Sequence, residues 1–182
     1  MPLDVRPATA ADVPGMLALI HAAYRGESSR AGWTHEADLL DGSRTDEAAL
    51  RTELADPATT FLLVEDPDGL LACCAVTDRG EGTAYFGTFA VRPTAQGRGT
   101  GDALLAQAES RAWAAGAVRM EMTVVAQRTD LIAWYARRGY AATGETRPFP
   151  YGDERFGLPR VDDLAFVVLA KSLAETSGWG HE

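Results

Sequence analysis

Lysine is almost absent from this chain of 182 residues: Lys171 is the sole one among 17 lysines and arginines. The skew toward arginine is compositional and carries no functional reading. Cysteine is scarce as well, and the two copies, Cys73 and Cys74, are adjacent. A disulfide needs separated Cα atoms and converging side chains, so neighbours are poor partners. Within Leu-Leu-Ala-Cys-Cys-Ala-Val they read as small residues of a buried strand. The three histidines, His21, His35 and His181, show no ligand spacing with each other or with the cysteines, so no metal is expected. No apolar run approaches the ~18 residues of a membrane span. The opening Met-Pro-Leu-Asp-Val-Arg lacks the basic and apolar regions of a signal peptide. These absences predict a cytoplasmic protein without a membrane partner. The net charge of −9 argues against a nucleic-acid surface.

What is present is an ordered series of amphipathic segments. One domain is expected over 1–173, with a short tail at 174–182. Residues 3–7 read as a strand, and Thr9 with Asp12 as a capping box ahead of a helix carrying Val13, Met16, Leu17, Ile20 and Tyr24 at helical spacing. A short helix follows at about 46–55. Apolar runs at 60–65 and 70–77 flank Asp66-Pro67-Asp68-Gly69, a hairpin signal. A strand at 83–91 leads through a glycine-rich turn into a helix with Leu104, Leu105, Ala108 and Ala112 inward, ended by Gly116. Val118–Val125 reads as a buried strand, 129–138 as a helix ended by Gly139, and about 140–146 and 161–170 as two last strands. The expected class is α/β (α+β): a mixed sheet of about seven strands with about four helices on both faces.

The turn Gln96-Gly97-Arg98-Gly99-Thr100-Gly101 has a physical use. A helix's first turn leaves N–H groups unpaired, and with the helix dipole they favour an anion. Glycines remove Cβ atoms that would hold a phosphate off the backbone, and Arg98 offers a charge. The spacing is neither that of a nucleotide P-loop nor of a dinucleotide fingerprint.

Phe89-Ala90-Val91-Arg92-Pro93 followed by that turn resembles the acetyl-CoA motif of the GNAT acetyltransferases, Gln/Arg-x-x-Gly-x-Gly/Ala, with Gln96, Gly99 and Gly101 at its fixed positions. Trp134-Tyr135-Ala136-Arg137-Arg138-Gly139-Tyr140 resembles the family's later Leu-Tyr-x-x-x-Gly-Phe signature. The resemblance implies a mostly antiparallel GNAT sheet and acetyl-CoA as co-substrate. The backbone of Phe89, Ala90 and Val91 would meet the pantetheine arm. Amides from Gln96 to Gly101 would hold the pyrophosphate, and Val91 or a neighbour would meet the acetyl carbonyl. It also implies two sheet strands splaying apart near the thioester. The Asn that the family often carries seven residues before the tyrosine is Arg128 here, and its role is not transferred.

Amide formation needs a neutral amine and a protonated leaving thiol, against ordinary pKa values of ~10.4 and ~8.5. Tyr135 is the candidate general acid, by its phenol and by the family position. The base is open. Tyr85 matches a strand position where some relatives carry a catalytic Glu. Glu121 lies mid-strand, where burial raises a carboxylate pKa and an ion pair is the alternative. Glu36, Asp38, His35 or a water chain are further options.

Two irregular segments, 25–44 and 147–160, have the length of binding elements, and the resemblance implies that they form the acceptor pocket. Trp33, Phe149, Tyr151 and Phe156 would give an apolar wall. Glu36 and Asp38 would draw an amine, and Arg30, Arg147 and Arg155 a carboxylate. The expected activity is direct acetyl transfer to a primary amine of a small molecule or peptide. A non-catalytic acyl-CoA-binding module and a transferase of longer acyl chains are the alternatives. A homodimer is expected by analogy alone.

Overall fold

The computed structural model describes residues 3–24, 40–41, 45–151 and 158–174. Strand β1 (Val5–Pro7) enters a single 3-10 turn, Ala10–Asp12, and helix α1 (Val13–Tyr24). The Thr9 N–H donates to Asp12 Oδ2 at 2.7 Å, and Arg6 grips the same carboxylate through two nitrogens at 2.8 and 2.9 Å. β2 (Leu40–Asp41) precedes helix α2 (Glu47–Ala55), whose first turn is capped by the Asp46 carboxylate accepting from the Ala49 N–H at 2.7 Å. Then come β3 (Thr59–Asp66), β4 (Gly69–Asp78), β5 (Thr83–Val91) and helix α3 (Thr100–Ala114). β6 (Arg119–Val125), helix α4 (Thr129–Ala136), β7 (Ala141–Pro148), β8 (Leu158–Pro159) and β9 (Ala165–Ser172) complete the order.

The main sheet has seven strands in the order β1-β3-β4-β5-β6-β9-β7. Only β5 and β6 run parallel; every other neighbouring pair is antiparallel. A second ladder of two strands, β2 against β8, joins two segments that the sequence pattern reads only as irregular.

The central strands are buried on both faces, so they read as continuous apolar runs rather than as alternation. Phe61, Leu63, Cys73, Ala75 and Ala90 face α1 and α2, beneath Val13, Met16, Ile20 and Leu50. Leu62, Val64, Cys74, Phe86, Met120 and Met122 face α3 and α4, against Leu104, Leu105, Leu131 and Tyr135. Both cysteines are fully buried, one in each layer. A third cluster joins Val125, Phe149 and Leu164 at the far end of β6. Among the described residues no helix is long and apolar enough to cross a membrane.

A polar cluster is built into this core around Glu109. Glu109 on α3 accepts from Tyr140 Oη and from Lys171 Nζ, each at 2.9 Å. Burial, then the Glu109 charge beside it, pushes the Tyr140 phenol far up, so it stays a hydrogen-bond donor.

Candidate active site

The parallel pairing of β5 with β6 covers Thr83↔Arg119, Ala84↔Met120 and Tyr85↔Glu121, and stops there, although the strands continue to Val91 and Val125. The cause lies in β5. Its register with β4 shifts between Cys73 and Ala75, and Thr88 takes a left-handed φ of 47°. A bulge of this kind bends one strand away from its neighbour. For a β-branched residue this conformation costs roughly 1–2 kcal/mol. Gly87 leaves room for the Tyr85 ring: a Cβ there would lie 3.2 Å from its Cε1.

The resulting cleft of about 350 Å³ lies between the strands. Tyr135 enters it from α4, 4% exposed, its ring fixed edge-on by Trp134 and Tyr140 at centroid distances of 5.0 and 5.8 Å. Tyr85 lines the same cleft, its hydroxyl 2.6 Å from Thr123 Oγ1 and its ring covered by the Arg79 guanidinium at 4.3 Å. Phe149 lines it as well. Tyr24, which helical spacing assigns to the core, borders it and donates its hydroxyl to the Phe89 carbonyl. Glu53, on α2, is the one carboxylate among its described lining residues, and no motif pointed to it.

Other candidates sit elsewhere. Glu121 is outside the cleft lining, its carboxylate accepting from Arg119 Nε at 2.9 Å. The two residues are spaced by two on β6, which puts them on one face of the strand. Tyr151 braces its own loop: its hydroxyl donates to the Val161 carbonyl and accepts from the Leu164 N–H at 2.9 and 2.7 Å. Arg147 bonds Glu145 at 3.0 Å and does not line the cleft. Arg128 is 6% exposed and contacts Asp130 at 3.2 Å. Arg30, Trp33, Glu36 and Arg155 lie outside the described residues, as do His35, Asp38 and Phe156.

A second cleft, of about 180 Å³, opens at the N-terminus of α3, and Phe89 borders both clefts. Gln96 Nε2 donates to the Val91 carbonyl at 3.0 Å, tying the turn to the end of β5. Gly97 and Gly99 have φ of +80° and +83°, and a Cβ on either would meet nothing within 4 Å. They are needed for backbone conformation and leave the amide surface open. Gly101 differs: a Cβ there would lie 3.0 Å from Phe89 Cζ, so it serves helix-to-strand packing. The Ala103 N–H reaches the Gly99 carbonyl at 3.0 Å, and the amides of residues 100–102 precede any intrahelical acceptor. Arg92 N–H bonds the Leu71 carbonyl at 2.8 Å, and strand alternation aims the Val91 N–H the other way, toward the split. Arg98 is exposed and outside the lining, whereas Trp134 and Arg138, which the sequence reading treated only as part of a signature, form the opposite wall.

The profile of the Acetyltransferase (GNAT) family matches residues 20–140. No curated protein sequence matches the chain. Among solved structures, a ribosomal-protein-alanine N-acetyltransferase from Brucella melitensis superposes with a TM-score of 0.70 at 18% identity, covering 93% of this chain and 99% of that one. A putative acetyltransferase from Salmonella typhimurium, solved with its cofactor acetyl-CoA, gives 0.68 at 17% identity over 95% of each chain. A chimeric spermidine N-acetyltransferase from Vibrio cholerae and hSSAT gives 0.69 at 14% identity, covering 98% and 99%. At these identities the superpositions speak for the fold, and the profile match speaks for the family. With a bulged strand, a split parallel pair and a glycine turn under one helix, the chain belongs to the GNAT acetyltransferase family and is an acyltransferase.

Proposed function

We propose that this protein moves an acetyl group from acetyl-CoA directly to a primary amine of a small molecule or peptide, within a ternary complex. The observation that carries the reading is a pair of clefts beside β5, one lined by Tyr85 and the other by Gly97 and Gly99, with Phe89 bordering both. That arrangement suits a long thiol carrier with phosphates at one end. Acetyl-CoA bound there supplies a thioester as the electrophile.

The remaining roles fall to residues of the chain. Amides from Gly97 to Gly101 hold the diphosphate, and the Val91 N–H meets the acetyl oxygen. Tyr135, protonated at neutral pH and anchored between two aromatic rings, gives its proton to the sulfur as the C–S bond breaks and the N–C bond forms. The amine proton leaves through the paired hydroxyls of Tyr85 and Thr123 to solvent. Glu53 draws the cationic acceptor toward the cleft. A covalent acyl-enzyme is disfavoured. Both cysteines are fully buried, and burial, with Cys73 beside it, pushes the Cys74 thiol far up, away from the reactive thiolate.

The test combines acetyl-CoA calorimetry with thiol release across amino acids, polyamines, aminoglycosides and peptide N-termini. Tyr135→Phe is expected to lower kcat ~100-fold or more while acetyl-CoA affinity holds. Tight cofactor binding without turnover on any amine would make the protein a binding module instead.

A further inference from the structure

The glycine turn does not account for diphosphate binding by itself. The N-terminus of α3 is worth roughly +0.5 of a charge, but Asp102 in its first turn subtracts a full one, leaving about −0.5. Asp102 thus offsets the attraction that the helix end offers an anion. Arg98 does not line it, and Arg138 is the one cationic side chain among its described lining residues. With Arg138 the local sum becomes about +0.5.

Arg138 is also held in place. Its Nε donates to Asp102 Oδ1 at 2.7 Å, its Nη1 donates to the Trp134 carbonyl at 2.9 Å, and its Cζ stands 3.5 Å from the Trp134 ring centroid. Those bonds use two of the five guanidinium N–H donors. The side chain is 23% exposed, enough to reach a ligand without being loose in solvent. Stacking on an indole and tethering to a carboxylate fix the guanidinium plane before any ligand arrives, which lowers the ordering cost of binding.

We infer that Arg138, positioned by Asp102 and Trp134, is a ligand of the diphosphate of the coenzyme and supplies the positive charge within the cleft lining that offsets Asp102. The inference rests on the proposed acetyl-CoA reading. Against it stands a purely architectural role, in which Arg138 ties α3 to α4.

Calorimetry with CoA and with 3′-dephospho-CoA, at low and high KCl, separates the readings without needing the acceptor amine. Arg138→Gln is expected to weaken both ligands about ten-fold or more, and equally, as loss of a charge-assisted contact should. It should also flatten the salt dependence of binding, because one ion contact is gone. The thermal midpoint without ligand should stay within a few degrees of the parent. Weakening of CoA alone would move the contact to the 3′-phosphate and overturn the assignment. Unchanged affinity, or weakening with an unaltered salt slope and a lowered midpoint, would reduce Arg138 to a tether. If the parent protein bound neither ligand, the acetyl-CoA reading itself would fall.

Discussion

The Tyr85 hydroxyl reaches past its own backbone partner, Glu121, to meet Thr123 two residues further along β6, at 2.6 Å. The contact sits where the ladder ends and the split begins. A side-chain bridge thus takes over at the point where main-chain bonding stops.

Removing that bridge should therefore affect the acceptor more than the cofactor. Tyr85→Phe or Thr123→Val is expected to lower kcat/KM for the amine about ten-fold, with CoA affinity unchanged. The double variant should be little worse than either single one, since both delete the same interaction. Fully additive losses in steady-state kinetics would show that the two hydroxyls act separately.

Gly99 and Gly101 should respond differently to alanine. At Gly99, with φ of +83° and open space around it, Gly99→Ala carries backbone strain of about 1 kcal/mol and no clash. At Gly101 the new methyl lies 3.0 Å from Phe89 Cζ, so Phe89 must shift within the cleft wall. Gly101→Ala is expected to weaken CoA binding more than Gly99→Ala does, and Gly101→Val to cost a further 1–3 kcal/mol, roughly, of stability. Denaturant melts beside calorimetry would reveal the contrary order.

The Glu109–Lys171 pair, with side chains 11% and 16% exposed, should be unforgiving of single changes. Lys171→Met leaves a buried carboxylate without its cation, a loss of about 3–5 kcal/mol. Combining it with Glu109→Gln should restore a good part of that. Tyr140→Phe, which deletes one hydrogen bond to the same carboxylate, should cost about 1 kcal/mol. Urea melts of the three variants check the pattern; a double variant as unstable as Lys171→Met alone would contradict it.

The turn at Asp12 gives stability a defined acid limit. Its carboxyl is lowered to about 2, first by the Arg6 hydrogen bonds and against the opposing effect of burial. A depressed carboxyl contributes fully above its unfolded value, near 3.8, and the contribution fades as pH falls toward 2. Asp12→Asn should lower the thermal midpoint at pH 6 and make no difference near pH 2. A midpoint difference that persisted at the acid end would assign the effect to the turn's shape rather than to charge.

Helices and strands were legible because their periodicities survive in the sequence: α1, α2, α3 and α4 begin and end within a few residues of the caps and glycines that mark them. The double burial of β3 and β4 showed as unbroken apolar runs. The β2–β8 ladder could not be read, since Leu40 pairs with Pro159 across most of the chain and neither stretch has a repeating pattern. The cradle was read through Gly97 and Gly99, but the packing role of Gly101 depends on where Phe89 points. Trp134, Arg138, Tyr24 and Glu53 reach the site by tertiary placement alone. Glu121 illustrates the converse, a carboxylate in an apolar strand that is satisfied locally by Arg119.

The sealing of Cys73 and Cys74 makes the folded chain silent toward aromatic disulfide reagents. Colour developed during turnover would then report liberated coenzyme alone, with no contribution from the catalyst. Under rising denaturant the same reagent becomes a stopwatch for the opening of β4, the interior strand that holds both sulfurs.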